Sequence, residues 1–255
     1  MTLQRPDVQV GDMMRRLILG LAVCLLASPA SSFTRVQGNT GTINGTGAVA
    51  VILTTPVGSG NAILISISHS SADTITVSSV TDNNSTPYTL VSGPTAYTVD
   101  PTFAVLTYWL ANVTGGPTTF TATFSGTTTQ GNRITVDEFS IAGAATLDGN
   151  AISAQGSISG TDAITSGNAS AVTNGDLVWG TTIPYNGAGT ISAGTGFSNG
   201  TLIASNVTTE WLTQSGAGPR AATFSNATAD EYVTAIITIK PPGGAHTLTT
   251  LGVGE

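Results

Sequence analysis

The stretch Thr119-Phe120-Thr121-Ala122-Thr123-Phe124 alternates threonine with apolar residues, and this alternation decides the fold class. Successive side chains of a β-strand point to opposite faces of the sheet. Phe120, Ala122 and Phe124 therefore form a buried face, and the three threonines form a solvent face. The pattern predicts a strand of an antiparallel sheet that packs on one side only.

Other segments extend this pattern. In 62–69 the three isoleucines Ile63, Ile65 and Ile67 are predicted to face the core, with Leu64, Ser66 and Ser68 facing outward. In 231–239 the inward set is predicted to be Val233, Ala235, Ile237 and Ile239. The segment 103–110 is apolar on both faces, which predicts a central strand that is covered on both sides.

About a dozen such segments follow one another without a helical period, separated by turns rich in Gly and Asn. The predicted strands are 48–53, 62–69, 74–80, 88–91, 103–111, 118–124, 133–141, 176–183, 208–213, 220–224 and 231–239. They predict an all-β protein with an antiparallel β-sandwich, of jelly-roll type because of the strand number. We expect one sandwich domain over 31–240. Two sequential sandwiches joined through 142–175 are the alternative, against which no repeat between the halves is recognised.

The N-terminus has the features of a secretory leader. Met14-Arg15-Arg16 precedes an apolar run that ends before Ser28-Pro29-Ala30, a small-residue cleavage pattern. We expect a signal peptide over 1–30, with translation starting at Met13 or Met14, and a secreted or cell-surface protein. Cys24 is the only cysteine and leaves with the leader, so the mature chain has no disulfide. After Lys240 the segment 241–255 is predicted to be a flexible tail.

Charge is sparse and acidic. Charged residues make up 8% of the chain, with seven Lys and Arg against 14 Asp and Glu. So few basic residues exclude a nucleic-acid partner, and the apolar run in the leader is too short to span a bilayer. The remaining partners are an extracellular polysaccharide or another cell-surface protein.

Five short motifs follow one another along the chain. They are Gly60-Asn-Ala-Ile-Leu-Ile-Ser66, Val77-Ser-Ser-Val-Thr-Asp82, Tyr108-Trp109, Thr146-Leu-Asp-Gly149 and Asn174-Gly-Asp-Leu-Val178. With the closing Ile-rich strand, this order resembles secreted β-sandwich modules of environmental bacteria, over about 41–241. The resemblance implies the fold and secretion, and it implies no particular activity.

Exposed aromatic rings are what a sugar-binding β-sandwich uses, because a ring stacks on the apolar face of a sugar. Trp109 and Trp179 lie in apolar strands and are predicted to be core residues. Trp211 lies beside Glu210 and a polar loop, and we expect it to be accessible. Tyr185 and Tyr97 lie in loop-like contexts and complete the predicted ligand-binding set, with burial of each ring as the alternative.

Carboxylates offer two further kinds of site. Asp82 and Asn84 alternate as oxygen donors in a loop and are candidate ligands for a structural calcium ion, with capping of the turn as the alternative. No other cofactor is expected. Asp137 and Glu138 are neighbours on a strand and point to opposite faces. A glycosidase pair would instead need residues from different strands, for example Asp137 with Glu210.

Gly196-Phe-Ser198-Asn-Gly200 matches the nucleophile elbow of α/β-hydrolases, and Asp230 and His246 follow in the expected order. That motif requires a strand, a turn and a helix, and the sequence predicts no helix. The sequence therefore favours a non-catalytic extracellular structural or adhesive module. A carbohydrate-binding module is the alternative, and a secreted hydrolase is the second alternative.

Overall fold

The computed structural model describes residues 33–242, except 46, 71–74, 129–130, 142–143, 159–163, 171, 187–189, 204–206 and 227–228. The predicted signal peptide 1–30, with Cys24, lies outside the described residues. So does the predicted tail after Pro242. The described chain belongs to one compact unit, Ser31–Gly243.

The described residues form strands and no helix. The first eight strands are β1 (Thr34–Ile43), β2 (Ala48–Ile52), β3 (Ala62–Ser70), β4 (Val77–Asp82), β5 (Thr89–Ala96), β6 (Phe103–Leu110), β7 (Thr119–Phe124) and β8 (Asn132–Ser140). The next eight are β9 (Thr146–Ile158), β10 (Ile164–Ala169), β11 (Leu177–Pro184), β12 (Ile191–Ala193), β13 (Ser198–Ile203), β14 (Val207–Thr213), β15 (Arg220–Asn226) and β16 (Asp230–Lys240).

The sixteen strands form four antiparallel sheets, and the second set of eight repeats the strand order of the first. The first large sheet has the order β1-β8-β3-β6-β5, and the first small sheet has β2-β7-β4. The second large sheet has the order β9-β16-β11-β14-β13, and the second small sheet has β10-β15-β12. Each strand of the second set thus takes the place of the strand eight positions earlier. The antiparallel β-sandwich is confirmed as the fold class, and the described chain forms two such sandwiches within one compact unit.

A jelly roll divides its eight strands evenly between two sheets. Here the fifth strand of each set, β5 or β13, pairs with the sixth in the large sheet, which leaves five strands facing three. This division does not confirm the jelly-roll type, which stays a prediction. The stretch 142–175, considered as a junction, contains β9 and β10.

The repeat extends to the pairing register. Leu64 pairs with Trp109 in the first large sheet, and Trp179 pairs with Trp211 in the second. On the other side, Leu64 pairs with Asp137, and Trp179 pairs with Ile237. Sequence marks this repeat in two motifs: Ala-Thr-Phe-Ser, at 122–125 on β7 and again at 222–225 on β15, and Val-x-Thr-x-Trp-Leu, at 105–110 on β6 and again at 207–212 on β14. The two halves therefore share strand order and register, and two short motifs mark this repeat in the sequence.

Three apolar layers hold the four sheets together. The first core lies between the first large and first small sheets and contains Ile63, Ile65 and Ile67, as predicted. The second core lies between the second large and second small sheets, around Phe224 and Ile236. The third layer joins the two large sheets face to face. It contains the following buried residues: Phe33, Leu64, Phe139, Leu177, Trp179, Ile237 and Ile239.

This third layer corrects one prediction and explains another. Leu64 was expected to face solvent, but it is fully buried against the second sandwich, and Ser66 and Ser68 are buried with it. A large sheet covered on both faces needs apolar residues on both, which is why 103–110 is apolar on both faces, with Thr107 as its one polar residue. Its Leu106 belongs to the first core, and its Trp109 packs in the third layer.

Candidate functional site

A cavity of about 360 Å³ opens where the ends of the two large sheets meet, and we call it the junction pocket. It is lined by three aromatic rings and four polar side chains. These are Tyr97, Phe103 and Tyr185 with Asn44, Ser68, Arg133 and Asn186. Its volume lies within the range of about 300–1,000 Å³ that is usual for small-ligand sites.

Both sandwiches contribute to the junction pocket. Ser68 on β3 and Arg133 on β8 are direct register partners in the first large sheet. Phe103 is the first residue of β6, and β6 pairs with the side of β3 that does not pair with β8. Tyr185 and Asn186 directly follow β11 of the second large sheet. The pocket therefore depends on the stacking of the two large sheets and not on either sandwich alone.

The aromatic wall contains two of the three rings that sequence proposed. The ring centroids of Tyr97 and Tyr185 lie 5.5 Å apart, and those of Phe103 and Tyr185 lie 6.0 Å apart with nearly perpendicular planes. Tyr97 is not the accessible ring that was expected, since it is only 4% exposed. Its hydroxyl donates a 3.0 Å hydrogen bond to the carbonyl of Ile183 on β11, and burial raises its pKa.

Tyr185 is half-buried and is the outer ring of this wall. Its hydroxyl donates a 2.8 Å hydrogen bond to Oδ2 of Asp100, and this bond raises the pKa of Tyr185. The next residue, Asn186, donates from its backbone nitrogen and its Nδ2 to the carboxylate of Asp230. Both side chains of the second sandwich are thus held in place by carboxylates beside the pocket.

Arg133 is the one lining residue with a formal charge at neutral pH, and sequence reasoning did not select it. Its Nε is buried and has no hydrogen-bond partner in the protein, and the same is true of Oγ of Ser68. Burial lowers the pKa of the guanidinium. The only ion pair among the described residues joins Arg35 to Asp137, so no described carboxylate pairs with Arg133. In the sequence Arg133 shares its face of β8 with Thr135 and Asp137, which is typical of a solvent face, so no sequence signal pointed to it.

Trp211 does not join the two tyrosines. It is half-buried in the third layer, and its ring meets Phe139 edge-on at 5.6 Å. It is paired with Trp179 near the start of β11, whereas Tyr185 follows the end of that strand. At about 3.3 Å per residue the two positions lie roughly 20 Å apart along the strand. The predicted set therefore divides into a packing tryptophan and two tyrosines of one pocket.

The Asp82 carboxylate caps a turn. Its Oδ1 accepts hydrogen bonds from the backbone nitrogens of Asn84 and Thr86 at 2.9 and 3.0 Å, and its Oδ2 accepts one from the Tyr88 hydroxyl. The side chain of Asn84 is exposed. Within the described ranges, no three His, Cys, Asp or Glu side chains gather as metal ligands. The arrangement is that of an Asx-turn, and it gives the calcium interpretation no support.

The Asp137 carboxylate ties the two sandwiches together. Oδ1 accepts hydrogen bonds from Nε of Arg35 at 2.8 Å and from the Thr201 hydroxyl at 2.7 Å. Oδ2 accepts from Nε1 of Trp179 at 2.9 Å and from the Thr209 hydroxyl at 2.6 Å. Asp137 is fully buried, so these donors replace the water that a carboxylate requires.

The carboxylates of Glu138 and Glu210 face away from that of Asp137, so the suggested pair of Asp137 with Glu210 is not formed. Glu138 points to the other face of β8, where it accepts from the backbone nitrogen of Gly58 at 2.8 Å. Glu210 follows Thr209 on β14 and faces the second small sheet, where it accepts from the backbone nitrogens of Gly194 and Thr223. Burial raises the pKa of Glu210 to about 7.

Ser198 begins β13, whose partner β14 runs antiparallel to it, with Ser198 opposite Trp211. This is not the strand, turn and helix of a nucleophile elbow. Asp230 accepts from Asn186, and His246 lies outside the described residues. The motif match therefore has no elbow geometry.

A second cavity, of about 540 Å³, lies at the side of the first sandwich between β4 and β5. Its lining is largely apolar and includes Ile75, Leu90, Leu106 and Tyr108. It exists because β5 pairs in the large sheet and leaves the small sheet three strands wide. Groups that select a polar ligand converge instead on the junction pocket.

Comparison of the chain with family models, with curated proteins and with solved structures finds no match in any of the three. The described residues include no helix that could traverse a lipid bilayer.

Proposed function

We propose that this protein is a non-catalytic extracellular module with a structural or adhesive role. Its position outside the cell is inferred from the leader sequence. Its partners are an extracellular polysaccharide or another cell-surface protein. The proposal rests mainly on one surface feature, a group of exposed apolar side chains along neighbouring sheet edges.

We call this group the edge face. It consists of Val36 and Ile43 on β1, Ile52 on β2 and Leu202 on β13. Each of these strands is at the edge of its sheet, and β1 contacts both β2 and β13. Edge strands present unpaired backbone groups, and proteins that avoid association usually protect them with charge. Here Ile52 is 63% exposed and Leu202 is 56% exposed. This surface suits pairing or packing against a neighbour.

The buried acids support a non-catalytic role. Asp137, Glu138 and Glu210 each accept a hydrogen bond from another segment of the protein. The donors are the indole nitrogen of Trp179 and the backbone nitrogens of Gly58 and Gly194, in that order. A catalytic carboxylate must instead reach the proton it transfers in a bound substrate. These three side chains serve as ties between sheets and loops.

Two measurements on the full secreted chain test the proposal. One is its retention on sensor surfaces coated with polysaccharide or cell wall, and the other is its self-association by sedimentation. Ile52→Lys combined with Leu202→Lys places charge on two edges and is expected to reduce retention or self-association at least five-fold. Val99→Lys changes an equally exposed apolar residue outside the strands and is the matched control. A wild-type chain that stays monomeric and is retained on no surface would refute the proposal, as would release of product from ester or polysaccharide substrates.

Carbohydrate binding is the second candidate. The specific observation in its favour is that Tyr97 and Tyr185, which come from different sandwiches, lie together on one wall of the junction pocket with polar side chains beside them.

A further inference from the structure

The junction pocket contains a guanidinium, that of Arg133, which forms no ion pair with a described carboxylate. Nε of Arg133 and Oγ of Ser68 are both buried without a hydrogen-bond partner, and the two residues are opposite each other in β8 and β3. Ser68 is 2% exposed. Buried polar groups in folded proteins almost always have partners. Two unpartnered groups at the same register position, in the wall of a cavity, indicate that a ligand supplies the acceptor.

The missing acceptor is an anion of low charge. A guanidinium is a planar fork of donors that matches a carboxylate. Carboxylates also lie beside the pocket, because Asp100 accepts from Tyr185 and Asp230 accepts from Asn186. These neighbours oppose a dianion such as a phosphate group more strongly than a monoanion. A single carboxylate on the ligand therefore fits the charge around Arg133.

The rest of the lining suits a ring with hydroxyl groups. Tyr185 and Phe103 offer aromatic surface against which a sugar ring can pack. Asn44 uses its Oδ1 to accept from the backbone nitrogen of Gly131, which leaves its Nδ2 as a donor. Asn186 uses its Nδ2 to donate to Asp230, which leaves its Oδ1 as an acceptor. A donor and an acceptor on two amides can hold two sugar hydroxyls.

We propose that the junction pocket binds a uronic acid residue of an acidic polysaccharide, with its carboxylate on the guanidinium of Arg133 and its ring against Tyr185. This inference deepens the second candidate function and names its ligand class. Arg133 recognises the charge, and the amides of Asn44 and Asn186 recognise hydroxyls.

Calorimetric titration of the full secreted chain with trimers of galacturonic acid and of glucuronic acid tests the proposal. The matched probes are the methyl esters of the same trimers, which keep the ring and lose the charge. We expect at least one free-acid trimer to bind ten-fold or more tightly than its ester. Arg133→Met is expected to remove that difference, since it keeps the stem of the side chain and loses the guanidinium.

Arg220→Met is the control variant. Arg220 also has a buried Nε without a partner, but it lies on β15 of the second sandwich, where its guanidinium covers the Phe197 ring. We expect this variant to bind like the wild type. Thermal unfolding of both variants shows whether each is folded, and the comparison of acid with ester on the wild type needs no variant at all.

The outcomes separate the two levels of the proposal. Equal binding of acid and ester would overturn carboxylate recognition and leave carbohydrate binding standing. Failure of every trimer to bind at millimolar concentration would overturn the uronic acid proposal, and failure of neutral glucose and galactose trimers in the same titration would overturn carbohydrate binding at this pocket. Neither result bears on adhesion through the edge face, which has its own variants.

Discussion

Asp137→Asn tests whether one buried carboxylate holds the two sandwiches together. The substitution keeps the size of the side chain and removes its charge. The two carboxylate oxygens accept from four groups, which are Arg35, Thr201, Trp179 and Thr209. An amide has only one oxygen. Its NH₂ must therefore face either the guanidinium of Arg35 or the indole N–H of Trp179, and in both cases donors meet donors.

The expected cost follows from burial. Removing one partner of a buried ion pair typically costs about 3–5 kcal/mol of unfolding free energy. The Arg35 side chain is 21% exposed and can recover part of its hydration, so we expect the lower end, about 3 kcal/mol. For a domain of this size, each kcal/mol corresponds to about 2–4 °C in Tm. Asp137→Asn should therefore lower Tm by roughly 6–12 °C.

Urea unfolding followed by tryptophan fluorescence measures this change, because Trp179 is bonded directly to the altered side chain. Asp100→Asn is the matched control, since its carboxylate lies near the surface and should contribute less than about 1 kcal/mol. A double-mutant cycle with Arg35→Met should give a coupling of about 1–3 kcal/mol. If Asp137→Asn costs less than about 1 kcal/mol, the reasoning about this tie is wrong.

Three further predictions concern Glu210, Gly38 and Trp211. The pKa of Glu210 is raised from 4.5 to about 7, so between these pH values the folded protein keeps a proton that the unfolded chain loses. The free energy of unfolding should therefore fall as pH rises from 4.5 to 7, by on the order of 3 kcal/mol. Denaturant unfolding at pH 5 and pH 7.5 should show this fall in the wild type and much less of it in Glu210→Gln; equal pH dependence would contradict the assignment. Gly38→Ala places a methyl group against Asp137 and should lower the unfolding free energy by about 1–3 kcal/mol. Gly47→Ala should be tolerated, because the carbonyl oxygen of Gly126, at 3.8 Å, is the one described heavy atom within 4 Å of the added methyl group; equal Tm values for the two variants would argue against the close approach at Gly38. Trp211→Ala should destabilise the chain by about 2–4 kcal/mol without a selective loss of sugar binding, because this ring packs in the third layer. A loss of sugar binding at unchanged Tm would show that Trp211 binds the ligand and does not serve packing.

The candidate site was only partly predictable. Tyr97 and Tyr185 were proposed from their loop-like contexts, and both line the junction pocket. The same reasoning chose Trp211, which packs on Phe139. Local sequence shows that an aromatic residue is flanked by polar ones, but it does not show which other sheet lies above it. Sequence did not point to Arg133, because the feature that matters is that no described carboxylate pairs with it and that its Nε has no hydrogen-bond partner. Whether such a partner is present depends on residues that are distant in sequence.

The fold was predicted further than the site. Alternation of apolar and polar residues, as in 119–124, is a local property with a period of two, so sequence by itself determined eleven of the sixteen described strands, the antiparallel sandwich and the first core around Ile63 and Phe120. It did not predict β1, β9, β10, β12 and β13. Tertiary structure alone decided that the eight-strand order occurs twice and that the two large sheets stack. That stacking buries Leu64 and the carboxylate of Asp137 and creates the pocket around Arg133, because a strand's outer face becomes a core face only when a distant sheet covers it.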